Sequence, residues 1–538
     1  MTKALAIFKS FFKEHSSILL FFIVSLLTSC IYAAFNKYIF YFTVFIAVLY
    51  CADIVIKRYV CPQKIITSIC AVFVIVLYVC IAFSNFYPQF LIPQKEIQVA
   101  YPFQGWNFYN AQSIAFKNFR LEIPISPSEK LKNFPYPYNK RRLYEELDYK
   151  KHDFVLDMSY YKEKYYMYFG ITPILVLYLP FLIITETFIL DSAAVLLFSI
   201  FAFLAALVLL DGLLKGFREN KDTVFNILKI LCLGICCVCP LLIIMPRVYE
   251  TAVVCAIFFG ILSYMFLLFY LKNKSRKVFL FFAGICAALA VGARPFYAFI
   301  ILAQILVFTD LGIFKTQERT RKRPSLILKK FIDSYALYFI PVLVYGFLLA
   351  IYNILRFDNP FEFGFKYQLS VYDTENVNFL PALFTHVKDF FFIKPIFLKE
   401  FPYIISNSAT ISGVFKESYI GLFYLVPLSA LLVLGGSYFK NKNILTEDKK
   451  IIASLLVCCL IIITVQSRLP ILMYRFAADI AFYLIICALV FSVSMLESLR
   501  GVKLYIMRFF VILIIFTSIV FSCAVLVSYN CQYGLGGL

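Results

Sequence analysis

Long hydrophobic segments alternate with short polar segments along almost the whole chain. A typical hydrophobic segment has about 18 to 24 nearly uncharged residues, enough for a helix to cross the roughly 30 Å hydrocarbon core of a bilayer. Most polar segments are short and rich in lysine and arginine, but two of them, 85–165 and 356–415, are much longer. The pattern predicts an all-α polytopic membrane protein with two large loops.

The predicted spans divide the chain into five parts. Three N-terminal helices (1–84) precede the first large loop (85–165), central helices (166–355) lead to the second large loop (356–415), and C-terminal helices follow (416–538). Individual spans are placed near 17–34, 39–56, 65–84, 229–246, 250–271, 278–293, 296–311, 331–355, 416–438, 449–467, 472–495 and 504–528. The distribution of positive charge allows the stretch 166–211, which is interrupted at ETFILD, only one net crossing. Part of it is therefore predicted to re-enter or lie in the membrane plane. The total is about 13 transmembrane helices, and the first large loop is expected to carry short helices.

The charge distribution sets the orientation of these spans. The net charge is +20, yet only 15% of the residues are charged and 62% are hydrophobic. Lysines and arginines form runs between spans, such as KTQERTRKRPSLILKK (315–330), as the positive-inside rule expects of cytoplasmic loops. Membrane topology therefore explains the charge better than nucleic-acid binding does. Both large loops are predicted to lie on the extracytoplasmic side.

Most of the sixteen cysteines lie inside hydrophobic segments. Cys236 and Cys239 have CxxC spacing, but their helix is uncharged and has no histidine, which makes it a poor zinc or redox site. The cysteines are therefore predicted to be free, buried thiols, and no metal site is assigned.

Single arginines lie at the outer ends of several predicted spans, unlike the clustered cytoplasmic ones. They are Arg247 with Glu250 in PRVYE, Arg294 in VGARP, Arg356 in YNILRF, Arg468, and Arg475 with Asp479 in YRFAAD. Any one of them suits contact with a lipid phosphate. As a set on the face of the two large loops, they favour a shared site for a phosphate-bearing ligand, because the guanidinium fork matches phosphate.

An acid beside such a site can accept a proton from an acceptor hydroxyl. Asp148, Asp153 and Asp157 all lie in the first large loop, and Asp157 stands a few residues before a hydrophobic segment, at the depth of lipid headgroups. A structural alternative is equally open at this point. In it, Asp157 caps a short helix and the tyrosines of 160–168 form an aromatic belt at the membrane interface.

The order of several motifs resembles a group of bacterial membrane proteins similar to the GT-C superfamily of polyprenyl-phosphate-sugar glycosyltransferases, which includes the protein mannosyltransferases. The motifs are LDMSYYKEKYYMYFGITP (156–173), VGARP (291–295), YNILRFDNPFEFGFKYQL (352–369) and YRFAAD (474–479). The first and third of these are the most specific.

The resemblance implies a GT-C-like fold and an inverting glycosyltransferase of the bacterial cytoplasmic membrane. Such an enzyme takes a sugar from a lipid-linked polyprenyl-phosphate donor and passes it to an acceptor, unknown here, on the outer face. Membrane lipids are further expected partners, and Mg²⁺ or Mn²⁺ is the one cofactor that the resemblance leaves open. The residues that it assigns are the acid Asp157, with Asp153 as a substitute, and the phosphate-binding Arg294, Arg356, Arg475 and Lys366.

One departure and two other function classes keep the assignment open. Asn107 and Asn110 stand where many members of the group have an acid, so that Glu96 and Glu122 are the nearest carboxylates. Either Asp157 or Asp153 takes the acid role, or the site works without metal, or the protein is inactive. A transporter or flippase of a lipid-linked substrate, and an O-antigen polymerase or ligase, are the alternatives to a transferase.

Overall fold

A computed structural model describes residues 63–84, 91–93, 108–217, 222–308, 324–370, 379–409, 417–467 and 472–533. Several predictions fall outside the described residues. They are the spans at 17–34 and 39–56, and the residues Glu96, Asn107 and Arg468.

Helices form most of the described structure. They are α1 Gln63–Phe83, α2 Phe108–Lys117, α3 Glu129–Lys132, α4 Lys140–Glu146, α5 Leu179–Thr185, α6 Asp191–Leu214, α7 Thr223–Ile235, α8 Cys239–Ile244, α9 Val248–Lys272, α10 Val278–Ala293, α11 Ala298–Phe308, α12 Pro324–Phe357, α13 Phe379–Phe392, α14 Leu422–Leu425, α15 Gly435–Lys440, α16 Thr446–Gln466, α17 Tyr474–Ser498 and α18 Gly501–Tyr533. Tighter or wider turns occur at Tyr149–Lys151, Ile174–Tyr178, Pro295–Tyr297 and Pro427–Leu434. The presence of α2, α3 and α4 confirms that the first large loop carries short helices.

The described strands are short and pair as antiparallel two-stranded ribbons. The pairs are β1 Leu91–Pro93 with β4 Thr187–Ile189, β2 Ser159–Tyr161 with β3 Lys164–Tyr166, β5 Ile396–Phe397 with β6 Ile404–Ile405, and β7 Asn407–Ala409 with β8 Glu417–Tyr419. Three of the four lie wholly within the large loops or at their ends, so the ribbons belong to the loop face of the protein and not to the helix bundle.

Six described helices are long and apolar enough to cross a membrane, which confirms an all-α membrane protein. They are the membrane-spanning parts of α1, α6, α9, α12, α17 and α18. The central one is α17, whose apolar window is 100% buried, whereas that of α12 is only 17% buried. The outward face of α12 therefore suits lipid, with Leu343, Phe347 and Leu355 each more than 60% exposed. The full number of about 13 crossings stays a prediction.

Two spans predicted as continuous helices are broken. In 229–246, Val238 takes a left-handed backbone conformation (φ 71°) between α7 and α8. Pro240 lies in the first turn of α8, where a missing N–H costs no hydrogen bond, whereas inside a continuous helix it would remove one. In 416–438, Pro427 separates α14 from a 3-10 segment, so this part of the chain consists of short turns. Hydrophobic length alone does not reveal either break. The cysteines of the first broken span are buried and free, as predicted.

The stretch 166–211 contains one short helical piece and one long helix. Ile174–Thr185 is only about 18 Å long at 1.5 Å per residue, well short of the bilayer core. It leads into β4, which pairs with β1 of the first large loop, so the short piece begins and ends on the side of that loop. Only α6 then has the length to cross. This arrangement fits the predicted in-plane or re-entrant piece.

Candidate active site

Backbone hydrogen bonds join the two most specific motifs of the sequence. The N–H of Asp157 donates to the carbonyl of Leu369 at 3.0 Å, and the N–H of Leu369 donates to the carbonyl of Met158 at 2.9 Å. The N–H of Tyr160 continues the pairing at 2.9 Å from the carbonyl of Tyr367. The first and second large loops therefore form one surface, and Asp157 lies at the seam.

The tyrosine-rich stretch after Asp157 is a packed ribbon. Residues 159–166 form β2 and β3, so the alternative in which Asp157 caps a helix is wrong. Tyr160, Tyr165 and Tyr166 are each 6% exposed or less. These rings contact protein and do not form a belt at the lipid interface.

The carboxylate of Asp157 is held by two uncharged donors. The hydroxyl of Tyr249 donates to one oxygen, and Nε2 of Gln368 donates to the other at 3.0 Å. Burial raises the pKa of the Asp157 carboxyl above its usual range, while the Tyr249 hydroxyl and the charge on Arg475 offset part of the rise. A carboxylate with a raised pKa and no ion pair among the described residues is suited to accepting a proton.

Tyr249 also contacts the arginines of the site. The guanidinium carbon of Arg475 lies 4.3 Å from the ring centre of Tyr249, and that of Arg247 lies 5.8 Å from it. Both arginines share the buried carboxylate of Glu250, with N–O distances of 3.0 Å from Arg247 and 3.6 Å from Arg475. Glu250 balances only one of these two guanidinium groups, and Asp157 is a further acid within electrostatic range of both.

Arg294 is fixed by a second buried acid. Its Nη1 donates to both carboxylate oxygens of Asp479, at 2.9 and 2.8 Å. Asp479 also accepts from Tyr297 and Gln466, so its oxygens are fully used. Asp479 therefore holds Arg294 in place at the end of α10 and has no spare capacity for a ligand.

Tyr168 lies within electrostatic range of Asp157, Arg475 and Arg294. Burial raises the pKa of its hydroxyl well above the ordinary value, the Asp157 carboxylate raises it further, and the charges on Arg475 and Arg294 lower it. All three charged groups therefore lie near one hydroxyl. Four separate parts of the chain supply this cluster, which we call the acid–arginine site: Asp157, Arg247 with Tyr249 and Glu250, Arg294, and Arg475 with Asp479.

Arg356 does not join the acid–arginine site. It is 4% exposed, and its two terminal nitrogens donate to the carbonyl of Met167 at 2.7 Å and to Asn353 at 2.8 Å. The ring of Tyr352 lies 3.8 Å from its guanidinium carbon. Arg356 therefore clamps the end of α12 to the first motif, a positioning role that differs from the predicted phosphate contact.

Asp153 and Lys366 also have other contacts. Asp153 forms an ion pair with Lys130 at 2.8 Å and accepts the N–H of Asp148, which shapes the first large loop and lowers the pKa of its carboxyl. Lys366 is exposed beside the ring of Tyr367. Neither contact involves the acid–arginine site.

Sequence reasoning missed three polar side chains that support the site. Tyr249 stands between the arginine and the glutamate of PRVYE, and Gln368 is the second-to-last residue of the third motif, but neither residue type signals a role by itself. Asp191, treated only as a break between hydrophobic segments, is buried in the first turn of α6 and accepts hydrogen bonds from Tyr178 and from Thr251 in the first turn of α9.

Asn110 has a structural contact outside the acid–arginine site. Asn110 is buried and donates to the carbonyl of Ile189 at 2.9 Å, which fixes β4.

Within the part of the chain that the structure describes, no three His, Cys, Asp or Glu side chains are grouped as metal ligands. The use of Mg²⁺ or Mn²⁺ stays a prediction.

Gly170 brings the first motif into direct contact with the C-terminal end of α10. A Cβ at this position would lie 2.2 Å from the carbonyl oxygens of both Gly292 and Ala293, immediately before Arg294. We expect Gly170→Ala to lower the free energy of unfolding by about 1–3 kcal/mol or more, because backbone oxygens cannot yield as a flexible side chain can. Unfolding in a detergent–SDS titration measures this. Gly346→Ala is the control, since a Cβ there meets nothing within 4 Å. Equal losses in both variants would contradict the close approach.

Comparisons with known proteins were made for the whole chain. No protein-family profile matches it, and no curated protein matches it. Among solved structures, it is similar to the apo form of the Archaeoglobus fulgidus oligosaccharyltransferase, with a TM-score of 0.43 and 11% sequence identity. The similarity covers 86% of this chain and 56% of that one, so this chain spans little more than half the length of that protein.

Proposed function

We propose that this protein is a membrane glycosyltransferase that moves a sugar from a polyprenyl-phosphate-linked donor to an acceptor on the extracytoplasmic face. The proposal rests on a difference in the partners of the three acids of the site. Glu250 and Asp479 are paired with arginines, whereas Asp157 is held by Tyr249 and Gln368 and keeps part of its surface exposed. Asp157 is thus the acid of the site that can take up a proton.

Arg294 and Arg475 are the groups proposed to bind the donor phosphate. Each contacts its carboxylate partner through Nη1, and among the described residues neither makes a hydrogen bond through Nη2 or Nε. A guanidinium group has five N–H donors in a planar fork, so both side chains keep donors for phosphate oxygens while their positions stay fixed. The motif resemblance assigns the same two arginines to this role.

In the proposed reaction, an acceptor hydroxyl oxygen forms a bond to the anomeric carbon of the sugar. The bond from that carbon to the phosphate oxygen breaks at the same time, and the hydroxyl proton passes to Asp157. The electron pair of the broken bond stays on the departing polyprenyl phosphate, whose charge Arg294 and Arg475 neutralise. Attack opposite to the leaving phosphate inverts the anomeric configuration.

The proposal is tested with labelled donor added to spheroplasts that overproduce the protein. Short-chain polyprenyl phosphate carrying [14C]mannose or [14C]glucose should lose its label to a product that no longer contains polyprenyl phosphate. Free polyprenyl phosphate should accumulate in equal amount. Intact donor moved to the inner leaflet without cleavage would instead establish the transporter alternative, and the absence of both results would reject the proposal.

A further inference from the structure

The second large loop projects a hydrophobic ribbon that the proposed reaction does not use. This ribbon, which we call the aromatic hairpin, comprises residues 396–405 and contains β5 and β6. Its exposed apolar side chains are Ile396 (41%), Phe397 (68%), Leu398 (40%) and Phe401 (48%). So many large apolar groups at one tip are unfavourable in water, and they indicate a surface that is covered in the working protein.

The position of the aromatic hairpin places it beside the membrane. It begins shortly after α13, where Phe391 and Phe392 contact Phe423 at the start of α14, with ring centres 5.1 and 5.0 Å apart. It ends next to Ser406, whose hydroxyl lies 2.6 Å from that of Tyr474 at the outer end of α17. Tyr474 in turn packs on Tyr529 near the outer end of α18. The hairpin therefore stands where the transmembrane helices reach the outer lipid headgroups.

The charges around the hairpin match a lipid surface. Lys394 and Lys399 are exposed on or next to it, Lys388 and Asp389 lie farther back in α13, and Glu400 is the acid at its tip. Lysines beside exposed phenylalanines form the usual pattern of interfacial segments, because the rings enter the acyl boundary while the ammonium groups reach lipid phosphates. A soluble protein partner would not by itself explain the position at helix ends.

Backbone hydrogen bonds within the hairpin favour shallow insertion into a membrane. The N–H of Leu398 donates to the carbonyl of Tyr403 at 2.8 Å, and the N–H of Tyr403 donates to the carbonyl of Glu400 at 2.8 Å. These bonds satisfy two of the backbone N–H groups near the tip, which lowers the cost of placing it at the edge of an apolar region. Two short strands cannot span a bilayer, so the insertion is limited to the interface.

We infer that the aromatic hairpin inserts into the outer leaflet of the host membrane and binds anionic lipid headgroups. Through the contact of Ser406 with Tyr474 it fixes the second large loop beside Arg475. The inference rests on the hairpin itself and holds whether or not the protein transfers a sugar.

The experiment uses one tryptophan as a depth probe. The chain has a single tryptophan, Trp106, so Trp106→Phe/Phe397→Trp places the only indole on the hairpin. In vesicles of phosphatidylcholine and phosphatidylglycerol, lipids brominated near the headgroup should reduce its emission by roughly half or more, as for a ring at interfacial depth. Trp106→Phe/Tyr149→Trp is the matched control, since Tyr149 lies in the first large loop next to Lys150 and Lys151. If Trp106→Phe impairs folding, the difference spectrum between Phe397→Trp and wild type gives the same reading.

Two outcomes would overturn the inference. Blue-shifted emission that brominated lipid does not quench would mean that the hairpin is covered by protein. Red-shifted emission that iodide quenches, as expected for Tyr149→Trp, would mean that it stands in water. In Lys394→Gln/Lys399→Gln, quenching should depend less on phosphatidylglycerol, and an unchanged dependence would contradict the role of the lysines.

Discussion

Replacement of Asp157 by asparagine should abolish sugar transfer while leaving the fold intact. The backbone at Asp157 is left-handed (φ 61°), a conformation that asparagine also tolerates, and an amide can still pair with Tyr249 and Gln368. The variant lacks only the group that accepts the proton, so we expect a loss of about 10²- to 10⁴-fold in the rate of donor cleavage. The measurement is the release of polyprenyl phosphate from labelled donor.

The control for this variant is Glu145→Gln, which removes an exposed acid of the same loop whose partner is Arg141. Its activity should equal that of wild type. Full activity in Asp157→Asn, with normal unfolding, would reject Asp157 as the base.

The dependence of the same activity on pH gives a second test, because the raised pKa of Asp157 means that the carboxyl becomes protonated at a higher pH than usual. Wild-type activity should therefore fall on the acid side at a pH above the ordinary value of about 3.9.

Loss of Arg294 should have the largest effect on stability. In Arg294→Gln the carboxylate of Asp479, whose side chain is fully buried, loses its cationic partner. Breaking a buried ion pair from one side costs about 3–5 kcal/mol, because an uncompensated charge stays inside the protein. Unfolding of the purified protein in a detergent–SDS titration measures the change.

A double variant separates the structural role of Arg294 from phosphate binding. Arg294→Gln/Asp479→Asn removes both charges and should recover most of the lost stability. Its transfer activity should nevertheless remain low, because the phosphate has lost one of its guanidinium partners. Recovery of both stability and activity would show that Arg294 serves only to balance Asp479.

Much of the architecture follows from local sequence. The predicted spans at 250–271, 278–293 and 472–495 correspond closely to α9, α10 and α17, because an apolar segment in lipid must satisfy its own backbone hydrogen bonds as a helix. The same reasoning marked the single arginines at helix ends. It did not reveal the break at Val238, since the chain on both sides is equally hydrophobic.

Local sequence could not predict which groups the site residues contact. Arg356 and Arg475 are alike at that level, each a lone arginine at a helix end, yet one clamps Met167 and the other lies over Tyr249. Likewise, the sequence favoured Asp157 over Asp153 only by its position, and the structure adds that Asp153 is in an ion pair with Lys130 whereas Asp157 is held by Tyr249 and Gln368.

The sequence by itself determined that this is a helical membrane protein with single arginines at the ends of several helices, because the length and polarity of each segment dictate its environment. Only the tertiary structure decided which polar side chains are in contact with one another. Asp157 and Gln368 are 211 positions apart in the chain, and they touch because strand-like pairing joins the two large loops. Contacts of that kind depend on how the helices pack, and no local pattern of residues records that packing.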